Sequence, residues 1–195
     1  MQKLFAYLNA IRRMSPALEE HLAKILRQQH YKKKEIILSR GNVCLHIRFI
    51  LSGVIRIVET ANEKEVTTWL QKEEEIFIAI NSFFGQVPSD AVIEAVTHCD
   101  TLGITFKELQ ETIRLYPEFQ VHFDAITVRY RQIENERAKI LQGLKPRDKY
   151  DWLLKTAPKL CQLVPVDYLA SYLRVSRRVL FGIRKENAKG KRKAK

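Results

Sequence analysis

Apolar positions in residues 2–30 recur with helical period: Leu4, Phe5, Leu8 and Ile11, then Leu18, Leu22, Ile25 and Leu26. Ser15-Pro16 with Glu19 predicts a helix start, serine capping and proline in the first turn. Two short helices are expected here. From Tyr31 the period changes. Glu35-Ile-Ile-Leu-Ser, His46-Ile-Arg-Phe-Ile-Leu and Val54-Ile-Arg-Ile-Val-Glu are short β-branched runs, broken by Arg40-Gly-Asn and Ser52-Gly53. The series continues through Glu65–Leu70, Glu75–Ile80, Ala91–Val96 and Cys99–Thr105, with Asn62-Glu-Lys as a hairpin tip. About seven closely spaced short strands predict an antiparallel barrel or roll. Phe106 to Leu115 returns to helical spacing.

A long helix is expected from Pro117 to Gln142, with proline at its first turn and Gly143 and Pro146 ending it. Phe119, Phe123, Ile126, Tyr130, Ile133, Arg137, Ile140 and Leu144 fall on one seam at alternating steps of four and three. About 26 residues at 1.5 Å rise make a rod of roughly 39 Å. Its other faces are polar. The seam can pack on its own domain or pair with a second copy as a parallel coiled coil. Its length on so polar a helix favours pairing, with Phe119, Phe123, Ile126, Tyr130, Ile133, Arg137 and Ile140 at the dimer interface. Arg137 would then fix register by reaching Glu134 or Glu136 of the partner subunit.

Beyond Gly143 a helix starts near Pro146, with Tyr150, Leu153 and Leu154 on one face; Pro158 and Pro165 punctuate the next stretch of chain. Val166–Lys185 then gives two short helical patterns separated by Arg174-Val175-Ser176. Leu169, Ala170, Tyr172 and Leu173 share one side of the first, and Leu180 and Ile183 face inward from the second. Ser176 suits an N-cap. This is a helix-turn-helix pattern, with Arg177, Arg178, Phe181, Arg184 and Lys185 facing outward. Cations at the start of such a second helix reach base edges, and those further along meet phosphates. The plainer reading is a helix pair covering a core, its charges solvated.

Charge favours the first reading. Residues 1–115 carry 15 Lys/Arg and 14 Asp/Glu, a net of +1, whereas residues 116–195 carry 19 and 8, a net of +11. Residues 161–195 alone carry 10 and 2, a net of +8. Such asymmetry points to a polyanionic partner for the C-terminal part. At 46% apolar residues the 195-residue chain can fill a core. No apolar run is long enough for a membrane span, and no secretory leader is evident, so a cytoplasmic protein is expected. Cys44, Cys99 and Cys161 are dispersed and read as reduced thiols without metal spacing. No Ser/His/Asp set or glycine-rich phosphate loop argues for an enzyme.

Taken whole, this α+β chain of β-roll, long helix and C-terminal helix-turn-helix resembles the Crp/Fnr transcription regulators. The local resemblance is carried by Asp148-Lys-Tyr and by Leu163-Val-Pro-Val-Asp-Tyr-Leu-Ala-Ser-Tyr-Leu-Arg-Val-Ser-Arg, whose phrasing from Pro165 is similar to the branch common in Bacteroidetes. It implies a dimeric, bacterial, DNA-binding regulator. Its parts would be a cyclic-nucleotide-binding-like effector domain (1–115), a dimerisation helix (116–143) and a helix-turn-helix domain (144–195). The implied partners are double-stranded DNA, a second copy, RNA polymerase and an unidentified small-molecule effector, with no membrane and no resident cofactor or metal. Ser176 and Arg177 match the start of the recognition helix; with Arg178, Arg184, Lys185, Lys189 and Lys191 they are the expected DNA contacts.

The chain also departs from the family. Arg174 stands where the turn usually has glycine, and Arg178, Phe181 and Gly182 alter the recognition helix, whose usual hairpin wing has no evident counterpart. Family members that bind cyclic nucleotides hold the phosphate with an arginine and a neighbouring serine or alanine, and the ribose with a glutamate after a glycine. Here Ser89 and Asp90 replace the arginine pair and Ala79 and Ile80 replace Gly-Glu, with Phe83, Phe84 and Val87 between. A carboxylate in place of a guanidinium loses the bidentate phosphate contact. Cyclic AMP is therefore not expected to bind tightly, and the pocket is expected to be filled or to take an apolar ligand. The alternative is a ligand-binding or protein-interaction module of the same fold that has lost sequence-specific DNA binding.

Overall fold

The computed structural model describes residues 1–61 and 63–193, with side chains described to Asn187 apart from Asn62. Two short helices, α1 (Gln2–Ile11) and α2 (Pro16–Ile25), open the chain. Ser15 caps α2, its Oγ accepting from the Leu18 N–H at 3.2 Å. Glu19 does not close a capping box. It accepts instead from the Asn9 side chain on α1 at 2.8 Å, which ties the two helices together.

Eight strands come next among the described residues: β1 (Arg27–Tyr31), β2 (Ile36–Leu38), β3 (His46–Ser52), β4 (Val54–Ala61), β5 (Lys64–Lys72), β6 (Ile76–Phe77), β7 (Val92–Ala95) and β8 (Cys99–Thr105). They form two four-stranded antiparallel sheets, in the orders β1-β8-β3-β6 and β2-β7-β4-β5. β1 is polar and carries no alternation, yet its register on β8, from Arg27 opposite Gly103 to Tyr31 opposite Cys99, is regular. Sequence pattern missed it because an edge strand needs only backbone pairing. The run from Glu75 to Ile80 is strand only at Ile76 and Phe77; Ile80 already opens a short helix, α3 (Ile80–Gly85).

The β3–β4 hairpin turns at Gly53, whose φ is +97°. A Cβ there would lie 2.3 Å from the His98 carbonyl oxygen, so no other residue fits. Ile50, Ile55, Ile93 and Phe83 fill the space between the sheets and are almost wholly buried. α1, α2 and α4 (Phe106–Leu115) close one end, α4 starting with a capping box between Thr105 and Glu108. Burying this one continuous core is the main stabilising contribution to the N-terminal domain.

The long helix α5 spans Phe119–Gly143. Four helices lie beyond it: α6 (Pro146–Thr156), α7 (Pro158–Leu163), α8 (Val166–Leu173) and α9 (Arg177–Lys193). α9 runs eight residues past Lys185, where the apolar pattern gave out. Leu153, Leu160, Leu169, Leu173 and Leu180 form a second core with Val54, Leu70 and Val96 of the roll. The C-terminal helices thus share buried surface with the strands.

Candidate functional site

α8 and α9 form the first candidate. α8 ends on Arg174, at φ 53° and ψ 49°, in the left-handed region. The Arg174 N–H donates to the Ser171 carbonyl at 3.1 Å and the Val175 N–H to the Ala170 carbonyl at 3.0 Å. That is a Schellman turn, the geometry glycine favours; arginine holds it at a cost of about 1 kcal/mol. Ser176 then caps α9, accepting from the Val179 N–H at 3.2 Å. Leu180 and Ile183 are buried against Leu169, Ala170 and Leu173, as the spacing predicted. Arg177 and Arg178 stand exposed at the N-terminal end of α9. Arg177 is paired with Asp167 of α8 at 3.1 Å, an exposed and weak pair.

Lys185 is exposed. Arg184 departs from its outward expectation. It is half-buried and donates to the Cys161 carbonyl at 3.2 Å, because the end of α7 offers an unpaired acceptor within reach. Lys189 and Lys191 lie outside the residues whose side chains are described. Phe181 is 62% exposed in the middle of the cationic face.

The second candidate is a cavity of about 650 Å³ between the roll and α5. Ala79, Ile80 and Phe84 line it, as do Phe123, Ile126 and Tyr130 of α5. Phe83 lies beneath it, fully buried, its ring edge-on to Phe84 at 5.2 Å and to Phe106 at 5.3 Å. Ser89 and Asp90 do not line it. Ser89 is buried and its hydroxyl bonds the backbone of Ala91, while Asp90 is exposed, its carbonyl accepting from Arg40 at 3.1 Å. The segment from 79 to 91 therefore brings no cation to the cavity wall.

The α5 seam is divided. Phe119, Phe123 and Ile126 pack on their own domain, and Tyr130 stacks on Trp69 with ring centroids 4.8 Å apart. Arg137, half-buried, lies over Trp69 at 5.5 Å and over Tyr172 of α8 at 4.6 Å. Its side chain is thus turned to two aromatic faces of its own chain, with no acid within 4 Å among the described residues. Ile133 is exposed and Ile140 half-buried. Val121 and Val128, off the seam and one heptad apart, are exposed as well.

Sequence reasoning missed the contact between α8 and the roll. Arg56 of β4 donates to one Glu94 oxygen of β7 from Nε at 3.0 Å and Nη2 at 2.6 Å, and both side chains are largely buried. The same guanidinium sits 3.6 Å over the Tyr168 ring, and the Tyr168 hydroxyl is 3.4 Å from the other Glu94 oxygen. The Thr67 N–H of β5 donates to the Ser171 hydroxyl of α8 at 2.9 Å. The one signal available was an arginine and a glutamate inside otherwise apolar strands.

Residues 28–116 match the cyclic nucleotide-binding domain. Solved structures share the fold over nearly the whole chain. The c-di-GMP responsive global regulator CLP of Xanthomonas campestris is 17% identical, with a TM-score of 0.69 over 90% of this chain and 93% of its own. FixK2 of Bradyrhizobium japonicum is 11% identical, with a TM-score of 0.73 over 85% and 86%. The Thermus thermophilus catabolite activator protein is 18% identical, with a TM-score of 0.56 over 92% and 86%. No curated protein matches the chain in sequence. The likeness to these structures is one of fold: an antiparallel roll followed by a helical C-terminal region. No described helix is long and apolar enough to cross a membrane, and no cluster of metal-ligating side chains occurs among the described residues.

Proposed function

We propose that the chain is a dimeric transcription regulator of Crp/Fnr type that reads duplex DNA through α8 and α9. Residues 1–115 serve as the effector domain, 116–143 as the dimerisation helix and 144–195 as the DNA-binding head. The observation that carries this is the turn at Arg174. It aims a capped helix outward with Arg177 and Arg178 at its start, while Leu180 anchors the opposite face in the core. That is helix-turn-helix geometry, in which the first residues of the second helix meet base edges. Ser176, Arg177 and Arg178 are assigned to base edges and nearby phosphates; Lys185, Lys189 and Lys191 are assigned to the backbone. Arg184 shapes the head from within.

A second copy pairs along α5. Ile133, Ile140 and Leu144 are the apolar groups of the seam left for it. Pairing places two heads symmetrically, as half-sites about 34 Å apart require. A signal would act by tilting the paired rods and re-spacing the heads. RNA polymerase and a small-molecule effector are further partners on this reading, and the setting is the bacterial cytoplasm. On this reading cyclic AMP is not the effector, since the 79–91 segment supplies no arginine and Arg131 of α5, the one cation in the lining, shares it with Glu59 and Glu134. Calorimetric titration with cyclic AMP should give no heat of saturable binding; micromolar affinity would overturn that point.

One feature favours a second reading. Phe181 is the most exposed large apolar side chain among the described residues, and it sits where DNA would dock. A head that had turned to a protein partner would place it at the contact centre. Selection of genomic fragments on the purified protein separates the two. A regulator enriches a two-half-site sequence, and Arg177→Ala weakens the enrichment and relaxes the base preference. A bound pool no different from random DNA would refute the regulator.

A further inference from the structure

The cavity beneath α5 has walls of one kind and a mouth of another. Its floor is aliphatic, from Ile57, Ile76 and Ile78, and Trp69, Phe84 and Tyr130 turn aromatic surface into it. Charge enters the lining at three side chains only: Glu59 of β4, and Arg131 and Glu134 of α5. All three are exposed, at the cavity's edge rather than its depth. The two acids share the cavity lining with Tyr130. Burial raises the Tyr130 hydroxyl's pKa above the ordinary tyrosine value, and the fields of Glu134 and Glu59 raise it further. The Arg137 guanidinium, outside the cavity, opposes them. Arg131 is the one cation in the lining, so the mouth carries two negative charges against one positive.

We infer that this cavity takes an apolar ligand bearing a positively charged head, such as an alkyl or aryl ammonium, with the apolar body between Trp69 and Phe84 and the head between Glu59, Glu134 and the Tyr130 face. Apolar area removed from water supplies the affinity. Aromatic faces and carboxylates both favour a cation at the mouth, and the same two carboxylates repel a phosphate or a fatty-acid head. The size suits the class, because 650 Å³ lies within the range of small-molecule sites. This assignment rests on the reading of the roll as an effector domain and replaces the anionic ligand that such a domain suggests.

The test uses the full-length protein and three eight-carbon probes that differ only in the head: octyltrimethylammonium, octanol and octyl sulfate. Binding is followed by calorimetry and by Trp69 fluorescence in a Trp152→Phe background. Octyltrimethylammonium should bind saturably at one site per chain, at least tenfold tighter than octyl sulfate, with octanol between them. Glu59→Gln/Glu134→Gln, both at exposed positions, should shrink the ammonium-over-sulfate preference to threefold or less and leave octanol unchanged. Octyl sulfate binding as tightly as the ammonium, no saturable binding of any probe, or a preference untouched by the double substitution would each overturn the assignment. DNA binding is read separately. A protein that takes the cation yet retains no duplex would refute the regulator and leave the cavity's ligand class standing.

Discussion

Replacing Arg56 by methionine tests whether the head is docked on the roll as the structure places it. Arg56 and Glu94 are 13% and 10% exposed, so their ion pair is nearly desolvated. Removing one member of such a pair leaves a buried charge and costs about 3–5 kcal/mol. The remaining exposure and the Tyr168 hydroxyl, 3.4 Å from Glu94, put Arg56→Met at the lower end, about 3 kcal/mol. Tyr168→Leu removes the face beneath the guanidinium. At 3.6 Å to the ring centroid and away from bulk water, that contact contributes about 1–2 kcal/mol. In the double variant the contact can be lost only once. The cycle should therefore close with a coupling energy of about 1–2 kcal/mol. Urea unfolding of the full chain at fixed protein concentration measures all four corners. Additivity within about 0.5 kcal/mol would mean that Arg56 and Tyr168 do not touch in solution, and the docked arrangement of α8 would be refuted.

Other perturbations probe separate parts of the molecule. Arg174→Gly should raise stability by no more than about 0.5 kcal/mol, as relief of about 1 kcal/mol of left-handed strain is largely offset by about 0.5–1 kcal/mol of added freedom in the unfolded chain; a loss of about 1 kcal/mol or more in urea melts would mean the turn is not left-handed. Burial pushes the Cys161 thiol up to about 11, so at pH 8 its thiolate fraction should be about a hundredfold below that of an exposed cysteine. Mass spectrometry after iodoacetamide should find Cys161 unmodified in the native protein, and rapid alkylation would contradict its burial. Arg177→Ala should cost about 1–3 kcal/mol of operator affinity and relax base preference, whereas Lys185→Gln should weaken all sequences alike and reduce the salt slope by about 1. Equal effects of the two substitutions on every duplex would remove the distinction between base and backbone contact.

Much of this fold is legible as pattern. β4 shows as a short β-branched run because Val54 to Val58 are buried almost throughout, and α8 and α9 reveal themselves through Leu169, Leu173, Leu180 and Ile183. β1 is invisible because Arg27–Tyr31 owes its place to backbone pairing with β8. The α5 seam is legible as a seam, but not as to its occupant. A repeat of apolar residues is the same signal whether the roll or a second helix covers it, and here Phe119 to Tyr130 lie on the roll. Arg184 shows a related limit, since outward and inward cations look alike until the end of α7 supplies a carbonyl. The docking of Tyr168 on Arg56 joins residues far apart in sequence, and no local spacing encodes it.

Fluorescence anisotropy of a labelled duplex enriched from genomic DNA, titrated with the purified protein against excess random-sequence competitor over a series of salt concentrations, bears most directly on the proposed role. Two chains should bind per duplex, the complex should survive competition, and affinity should fall steeply as salt rises. A complex displaced by random DNA at parity, or one holding a single chain, would contradict it.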